Sequence, residues 1–265
     1  EDDFEDLVSQ ALQKLEAGDL EKVVLARDVL AAVPTDFDPR PAIGRLTRRY
    51  PSCWTYWVNQ RFGASPELLV RVDHGRVSAR VLAGTAGRGT DPEVDRAIAG
   101  ALINSVKNTV EHRLAVESLV NSLDPFCEEI VADEAPFSLA LPNVWHLASD
   151  VQGIISDDSS VLDLADALHP TAAVAGTPRA EAMELIRQLE PTDRGSYAGP
   201  IGWVGADGDG EWVIALRGAV LADGKIIAHA GCGIVNGSSP EAELAETRLK
   251  FKPIRQVLGL NADQR

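Results

Sequence analysis

The stretch Gly231-Cys-Gly-Ile-Val-Asn-Gly-Ser-Ser-Pro240 runs directly into Glu241-Ala-Glu-Leu-Ala-Glu-Thr-Arg-Leu-Lys250. Its first part is the apolar sequence of a buried strand, and the Gly-Ser segment that follows is typical of a turn. Ser238 or Ser239 is placed to cap a helix, and Pro240 suits the first turn of that helix. The stretch therefore predicts a strand, a tight turn and a helix in immediate succession.

Three charged side chains of the predicted helix share one face. Glu243, Glu246 and Lys250 follow one another at positions i, i+3 and i+7. Two carboxylates on one face repel each other unless a cation lies between them, and clustered carboxylate oxygens suit Mg²⁺. The residues alone leave a second interpretation open, which is a solvated Glu/Lys face with ordinary i,i+4 pairing.

Composition limits the classes of protein to which the chain can belong. Its 265 residues, 45% hydrophobic and 25% charged, are those of a soluble globular protein with one large or two closely packed domains. The formal net charge of −15 argues against nucleic acid or an anionic membrane as a partner. The three cysteines form no CxxC pair, the apolar runs are too short to cross a bilayer, and residues 1–4 carry no signal peptide. We therefore expect a cytoplasmic protein.

Helical and strand-like patterns are interleaved without a regular βαβ alternation. An apolar stripe with helical spacing runs from Phe4 to Leu15 and ends at Gly18. Later segments alternate as strands and are joined by hairpin signals such as Asp207-Gly-Asp-Gly210. This arrangement predicts the α+β class.

Three charged residues occur in apolar surroundings. Lys22 begins an apolar strand, Glu67 lies where a turn meets a strand, and Arg217 falls inside the predicted strand 213–219. Burial would raise the pKa of the Glu67 carboxyl, as a general acid requires. A buried arginine needs an anionic partner, for which a substrate carboxylate is suitable. The residues alone favour a simpler interpretation, in which Lys22 and Glu67 are surface charges at strand ends.

Two segments rich in small residues are suited to close contact with a ligand. The glycine-rich turn 83–89 exposes backbone N–H groups that can hold an anion, although it is neither a P-loop nor a GxGxxG motif. The segment 169–178 concentrates small residues after a His-Pro pair, so its backbone can approach a ligand closely. His146, in a predicted strand, is by itself typical of a hydrogen-bonded structural histidine.

Taken together and in this order, these segments resemble the chorismate-utilising enzymes, which include isochorismate, salicylate, anthranilate and aminodeoxychorismate synthases. The resemblance covers essentially the whole chain. The matching blocks are Lys22-Val-Val-Leu-Ala-Arg27, Gly63-Ala-Ser-Pro-Glu-Leu68, Leu82-Ala-Gly-Thr85, Lys107-Asn-Thr-Val-Glu-His112, Val144-Trp-His-Leu147, Leu168-His-Pro-Thr171, Asp193-Arg-Gly-Ser-Tyr-Ala-Gly199, Ala215-Leu-Arg217, Ala230-Gly-Cys-Gly-Ile-Val235 and Glu243-x-x-Glu-Thr-x-x-Lys250.

The resemblance implies an α+β fold of two stacked, orthogonally packed antiparallel sheets flanked by helices, with the active site in a cleft between the halves. Residues 1–265 would then form a single chorismate-binding catalytic domain. Roughly a hundred residues that precede the lysine strand in the family would be largely absent, judged from typical domain anatomy.

The resemblance also implies the roles of individual residues. A Mg²⁺ ion would be held by Glu111 and Glu246, with Glu243 nearby, and would bind the C1 carboxylate of chorismate. Glu67 would be the general acid that protonates the departing C4 hydroxyl, and Lys22 the general base that activates water. The implied substrate-binding residues are Gly84, Thr85, His146, Ala173, Tyr197, Arg217, Gly231 and Lys250.

The branch of the family follows from three positions. By resemblance, anthranilate synthases lack a lysine at position 22, and aminodeoxychorismate synthases carry a lysine where this chain has Ala83. Salicylate synthases generally have threonine where this chain has Ala173. These differences favour isochorismate synthase, with salicylate synthase, a non-catalytic chorismate-binding domain and an unrelated Mg²⁺-dependent hydrolase as alternatives. We expect a monomer that acts on chorismate and isochorismate for siderophore or menaquinone synthesis, and that binds neither nucleic acid nor membrane.

Overall fold

The computed structural model describes residues 2–260 and places thirteen strands of that range in two antiparallel sheets, with seven α-helices. The helices are α1 (Asp2–Glu16), α2 (Arg40–Arg49), α3 (Pro92–Ile103), α4 (Val106–Leu123), α5 (Val161–Leu168), α6 (Arg179–Leu189) and α7 (Pro240–Leu258). The strands are β1 (Lys22–Ala32), β2 (Trp54–Val58), β3 (Arg61–Ser65), β4 (Leu68–Asp73), β5 (Arg76–Gly87), β6 (Cys127–Ala132), β7 (Phe137–Ala140), β8 (Val144–Ile155), β9 (Gly176–Thr177), β10 (Pro200–Val204), β11 (Gly210–Ile214), β12 (Gly218–Ala222) and β13 (Lys225–Ile234).

Each sheet is built around a pair of long strands. The first sheet has the order β2-β3-β12-β13-β1-β9, and β1 pairs with β13 from Val23↔Ile234 to Ala32↔Lys225. The second sheet has the order β10-β11-β4-β5-β8-β6, and β7 also pairs with β8. The predicted α+β class with antiparallel sheets is confirmed.

The stretch 231–250 forms the predicted strand, turn and helix. Strand β13 ends at Ile234, and α7 begins at Pro240. Ser239 is the residue that caps the helix, because its hydroxyl accepts a hydrogen bond from the Ala242 N–H at 3.3 Å. The Ser238 hydroxyl instead accepts from the Val235 N–H within the turn, also at 3.3 Å.

Apolar side chains form separate clusters on the two sheets. One cluster joins the second sheet to α4 and α5 around Leu123 and Leu164. A second packs α1, α6 and α7 against β1 and β13, and a third packs α2 and α7 against β3, β12 and β13. Within residues 2–260, no helix combines the length and the apolar composition that crossing a membrane requires.

The chain passes directly between the two sheets, without an intervening helix, at two neighbouring points, whereas the passages from β8 to β9 and from β9 to β10 run through α5 and α6. The first crossing joins β3 to β4 through Pro66 and Glu67, and the second joins β11 to β12 through residues 215–217. The two are connected, since the Ile214 N–H donates to the Glu67 carbonyl at 3.2 Å and the Ala64 N–H donates to the Arg217 carbonyl at 3.3 Å.

The prediction of one continuous strand over residues 213–219 is therefore wrong. Strand β11 ends at Ile214, and Arg217 has a φ of 51°, in the left-handed region. The run is interrupted because its two halves pair in different sheets, and the backbone must turn sharply between them. Arg217 lies at this turn and not inside a strand.

Candidate active site

A cavity opens beside the two direct crossings and is bordered by β1, β5 and β13. Ten of the thirteen predicted site residues line it, and they come from both sheets and from helices α4 and α7. These ten are Glu67, Gly84, Thr85, Glu111, His146, Ala173, Tyr197, Arg217, Gly231 and Lys250. The other lining residues are small or apolar, namely Val24, Leu82, Ala83, Val174, Leu216, Cys232 and Gly233.

Lys22 lies immediately behind the cavity wall. Its side chain is completely buried, and its Nζ is 3.5 Å from Oε1 of Glu111, which does line the cavity. Burial lowers the pKa of Lys22, although the nearby charges of Glu111 and Glu67 oppose that shift. The structure thus places Lys22 in a setting that favours the neutral amine.

Glu67 is held in the first crossing by its backbone, and its side chain faces the cavity. Its N–H donates to the Ser65 hydroxyl oxygen at 3.2 Å, and that hydroxyl donates to the Ile214 carbonyl at 2.6 Å. The residue is 4% exposed. Burial raises the pKa of Glu67 to about 7, against the opposing effect of Arg217. A carboxyl group with this pKa is substantially protonated near neutral pH.

Arg217, His146 and Thr85 form a chain of hydrogen bonds along one wall. The Nη2 atom of Arg217 lies 2.9 Å from Nε2 of His146, and Nδ1 of His146 lies 3.1 Å from Oγ1 of Thr85. A guanidinium group only donates, so Nε2 must accept and the proton of the neutral ring is assigned to Nδ1. Burial, together with the positive charge of Arg217, holds the pKa of His146 well below its usual value. His146 is therefore a neutral ring that orients the Arg217 guanidinium.

The three predicted metal-ligating glutamates are surrounded by lysines. Nζ of Lys107 is 2.7 Å from Oε1 of Glu243 and 3.9 Å from Oε2 of Glu111, and Nζ of Lys250 is 2.6 Å from Oε1 of Glu246. Burial alone would lower the pKa of Lys107 and of Lys250, but the adjacent carboxylates raise both above their usual range. Both lysines are therefore cations that offset part of the charge of the buried carboxylates.

The donor set of the three glutamates fits a hard divalent cation. All of the side-chain donors are carboxylate oxygens, and the buried Oε2 of Glu243 has no hydrogen-bond partner among the described residues. Burial, reinforced by the charge of Glu246, raises the pKa of Glu243, which indicates a carboxylate that lacks enough positive charge around it. These observations are those of an oxygen site that a cation would complete.

The three glutamates are not gathered as tightly as a closed metal site. Within residues 2–260, the one group of three potential ligands with atoms all within 4.8 Å of one another is Asp73, His74 and Asp209. That group is mostly exposed at the surface and has no connection with the cavity. Glu243 and Glu246 do not line the cavity themselves. Glu246 pairs with Lys250, which does line it, and Glu243 is connected through Lys107 to Glu111, which also does.

A glycine and an aromatic stack shape the wall formed by β13. Lys250 donates to the Gly231 carbonyl at 2.7 Å. A Cβ at position 231 would lie 3.2 Å from the Tyr197 hydroxyl and 2.9 Å from the Leu25 carbonyl, so only glycine fits without displacement. The Tyr197 ring stacks on His229 with a centroid separation of 5.2 Å. These contacts hold Tyr197 against the cavity.

Two residues of the Lys107–His112 block support the site although we predicted no role for either. Lys107 precedes Glu111 by four residues, a spacing that indicates an ion pair and so could have identified it. The Nδ1 atom of His112 lies 3.1 Å from the Ala83 carbonyl, and its Nε2 lies 2.9 Å from the Ser149 hydroxyl. His112 thereby ties the helix that carries Glu111 to the strand that carries Gly84. No spacing along the chain indicates that second connection.

Sequence and structure comparisons agree on the relationship of this chain to known proteins. A family model described as "Chorismate binding enzyme" matches residues 1–259. A candidate isochorismate synthase MenF of Mycobacterium tuberculosis is 42% identical over 257 residues, which cover 92% of this chain and 69% of that protein. The salicylate biosynthesis isochorismate synthase of Pseudomonas aeruginosa is 39% identical over 260 residues, which cover 97% of this chain and 54% of that protein.

A solved structure shows the same fold. The menaquinone-specific isochorismate synthase MenF from Escherichia coli superposes with a TM-score of 0.87 at 28% identity, covering 97% of this chain and 60% of that one. The chain thus spans between 54% and 69% of the length of these three relatives. Since the family model matches almost the whole sequence, this chain belongs to the chorismate binding enzyme family.

Proposed function

We propose that residues 1–265 form the catalytic domain of an isochorismate synthase, which converts chorismate reversibly into isochorismate. The observation that carries the proposal is the pair formed by Lys22 and Glu67. Glu67 lines the cavity and Lys22 lies immediately behind its wall, both are buried, and each has its pKa shifted toward neutral pH, downward for the amine and upward for the carboxyl. A protein that only bound its ligand would need neither a base nor an acid. The isochorismate synthases named among its relatives support the same function.

The reaction requires one proton acceptor and one proton donor. Water adds to C2 of chorismate as the hydroxyl group leaves C4, so one water molecule is consumed and one is released. Lys22 takes a proton from the attacking water as a neutral amine, and Glu67 gives its proton to the departing hydroxyl. After the forward reaction Lys22 is an ammonium ion and Glu67 a carboxylate, which is the state that the reverse reaction needs. Each group contributes about 10²–10⁴-fold in typical general acid–base catalysis.

The remaining wall residues bind and orient the substrate. Arg217, with Tyr197 and the backbone at Gly231, binds the enolpyruvyl carboxylate. His146 orients the Arg217 guanidinium through their hydrogen bond. Lys250 lies toward the second carboxylate of the substrate. Gly84, Thr85 and Ala173 lie against its ring.

Glu111 and Glu246, with Glu243 beside them, would hold a Mg²⁺ ion. When bound, the ion supplies positive charge for the C1 carboxylate of the substrate and so fixes its orientation. Lys107 and Lys250 offset only part of the negative charge of these three glutamates within the chain itself. The proton transfers remain with Lys22 and Glu67.

We further propose that the domain acts in the cytoplasm as a monomer, on small molecules and not on nucleic acid or membrane. Its product would enter siderophore or menaquinone synthesis, and the menaquinone-specific isochorismate synthase among its structural relatives is named for the second of these routes.

Product analysis tests the function directly. The purified chain is incubated with chorismate and Mg²⁺, and isochorismate, salicylate and pyruvate are resolved by chromatography. We expect isochorismate without pyruvate. Formation of salicylate and pyruvate in equal amounts would instead identify a salicylate synthase. Chorismate binding without turnover would identify a non-catalytic binding domain.

A further inference from the structure

Strand β1, which begins with Lys22, lacks a full neighbour on one side. Strand β9 pairs only with Lys22 and Val23. The Val24 N–H donates to the Ala175 carbonyl at 2.7 Å, and within residues 2–260 no strand pairs with this edge of β1 beyond that point. Buried backbone groups need partners. The Val24 carbonyl and the Ala26 N–H have no neighbouring strand to pair with, so their hydrogen-bond partners must come from elsewhere.

An ion pair takes the place of the missing strand. Nη2 of Arg194 donates to the Val24 carbonyl at 2.6 Å, and Oε1 of Glu190 accepts from the Ala26 N–H at 2.7 Å. Nη1 of Arg194 also donates to the Val174 carbonyl at 2.8 Å. Arg194 thus joins the β1 edge to the 171–175 segment, and Glu190 continues along that edge.

The pair itself is closely held. Nε of Arg194 is 2.8 Å from Oε2 of Glu190, and Nη2 is 2.5 Å from Oε1. The side chains are only 16% and 5% exposed, so water competes little for these contacts. A planar guanidinium can make all of these bonds at once, whereas an ammonium cannot.

We propose that Arg194 and Glu190 are positioning residues, which set the separation between β1 and the 171–175 segment and thereby place Lys22 for the reaction. This inference rests on the proposed function, in which Lys22 is the base. Neither residue lines the cavity.

Hydrogen bonds to backbone groups connect the Arg194–Glu190 ion pair to three residues that line the cavity, which are Val24, Val174 and Tyr197. Lys22 and Val24 are two residues apart in one strand, so their side chains lie on the same face of the sheet. Val24 and Val174 both line the cavity, and Arg194 binds the carbonyl groups of both. The Arg194 carbonyl accepts from the Tyr197 N–H at 2.9 Å, which fixes the turn that leads to a third wall residue. A change at Arg194 would therefore shift Lys22 relative to the bound ring.

Kinetics distinguish positioning from a general loss of stability. Arg194→Lys keeps the positive charge but loses the planar guanidinium that makes several hydrogen bonds at once. Glu190→Gln keeps a side-chain oxygen that can accept the hydrogen bond from the Ala26 N–H. The matched control is Arg80→Lys, because Arg80 makes a forked ion pair with Asp150 at 2.6 and 2.8 Å in the second sheet and does not line the cavity. Thermal unfolding of each variant shows that it is folded.

We expect Arg194→Lys to lower kcat by about 10²-fold, the usual effect of a misplacement of about 1 Å, with KM changed by less than about threefold. Glu190→Gln should show a smaller loss of kcat. Arg80→Lys should leave kcat within about twofold of wild type, as expected for a site without reacting groups. Equal kcat values for Arg194→Lys and wild type would overturn the proposal, as would an equal loss in both arginine variants.

Hydrogen exchange tests the pair without relying on turnover. In Glu190→Ala, the Ala26 amide loses its acceptor, so we expect its exchange to accelerate at least about tenfold. The Leu25 amide, on the side of β1 that faces β13, should be unaffected. Unchanged exchange at Ala26 would refute the positioning role whatever the reaction. Absence of isochorismate from wild-type protein, with accelerated exchange in the variant, would refute only the proposed function.

Discussion

The Glu111 carboxylate packs against the Cα of Gly233, in the space where any other residue would carry its Cβ. A Cβ built at position 233 would also lie 3.0 Å from Cε of Lys22. The absence of a side chain at Gly233 thus allows a strand, the proposed base and a proposed metal ligand to meet at one point.

Gly233→Ala should displace Glu111 and Lys22 together. We expect a loss of about 1–3 kcal/mol in the free energy of unfolding, the usual cost of overpacking. Turnover should fall by about 10²-fold because reacting groups move. Urea unfolding and chorismate turnover measure the two effects. The control is Gly100→Ala, at a helical position with open space around it, which should gain about 0.5–1 kcal/mol. Wild-type turnover in Gly233→Ala would show that this contact is unimportant.

Lys22→Met should separate catalysis from binding. We expect kcat to fall at least about 10²-fold because the proposed base is lost. Chorismate affinity, measured by calorimetry, should change little, since Lys22 does not line the cavity. Lys14→Met, at an exposed lysine, serves as the control for a general effect of the substitution. Retained turnover in Lys22→Met would remove Lys22 from its role.

Glu67 should make stability depend on pH in a defined window. Its pKa is about 7 in the folded chain and 4.5 ordinarily, so the folded state holds the proton more tightly. The stabilisation is complete below pH 4.5 and is lost as pH rises through 7, a change on the order of 3 kcal/mol. Glu67→Gln removes this dependence. The free energy of unfolding of wild type minus that of the variant should therefore decrease as the pH rises from 4.5 to 7. A difference that stays constant over this range would contradict the raised pKa.

His146→Phe should weaken substrate binding more than it slows the reaction. Arg217 loses the acceptor that orients it, and a hydrogen bond to a charged group is worth about 1.5–3 kcal/mol. We expect KM to rise about 10–100-fold on that basis, with a smaller change in kcat. Steady-state kinetics with chorismate measure both values. His74→Phe, at the surface, is the control. A fall in kcat at unchanged KM would instead give His146 a part in the chemical step.

Removal of divalent ions should abolish turnover, and added Mg²⁺ should restore it. Glu111→Gln and Glu246→Gln should lose most of the Mg²⁺ affinity measured by calorimetry. Glu243→Gln should lower the Mg²⁺ affinity by about 10–100-fold, as is typical of a residue that interacts with the ligands of a metal and does not bind the metal directly. The strongest loss in Glu243→Gln would reverse this assignment of the ligands.

Local patterns in the sequence predict much of the fold. The strand, turn and helix at 231–250 follow from apolar spacing, turn residues and a serine cap, all of which act within a few residues. The same reasoning fails at Arg217, because nothing in the apolar run 213–219 indicates that its halves pair in different sheets. That property depends on which distant strands are available, β4 for one half and β3 for the other.

The candidate site shows the same division between local and distant information. Lys107 could have been connected to Glu111 by its i,i+4 spacing. Glu190 and Arg194, in contrast, satisfy the β1 edge more than 160 residues earlier in the chain. Their role depends on which backbone groups of β1 are left without a strand, and only the folded chain determines that.

The two direct crossings between the sheets have a mechanical consequence. Glu67 lies at one crossing and Arg217 at the other, and backbone hydrogen bonds join the two segments. If one sheet were to rotate relative to the other as a rigid body, these crossings would act as the hinge, and points on a hinge axis barely move. Glu67 and Arg217 would keep their separation through such a rotation. Lys22, which belongs to the first sheet and lies at neither crossing, would move relative to the groups of the second sheet.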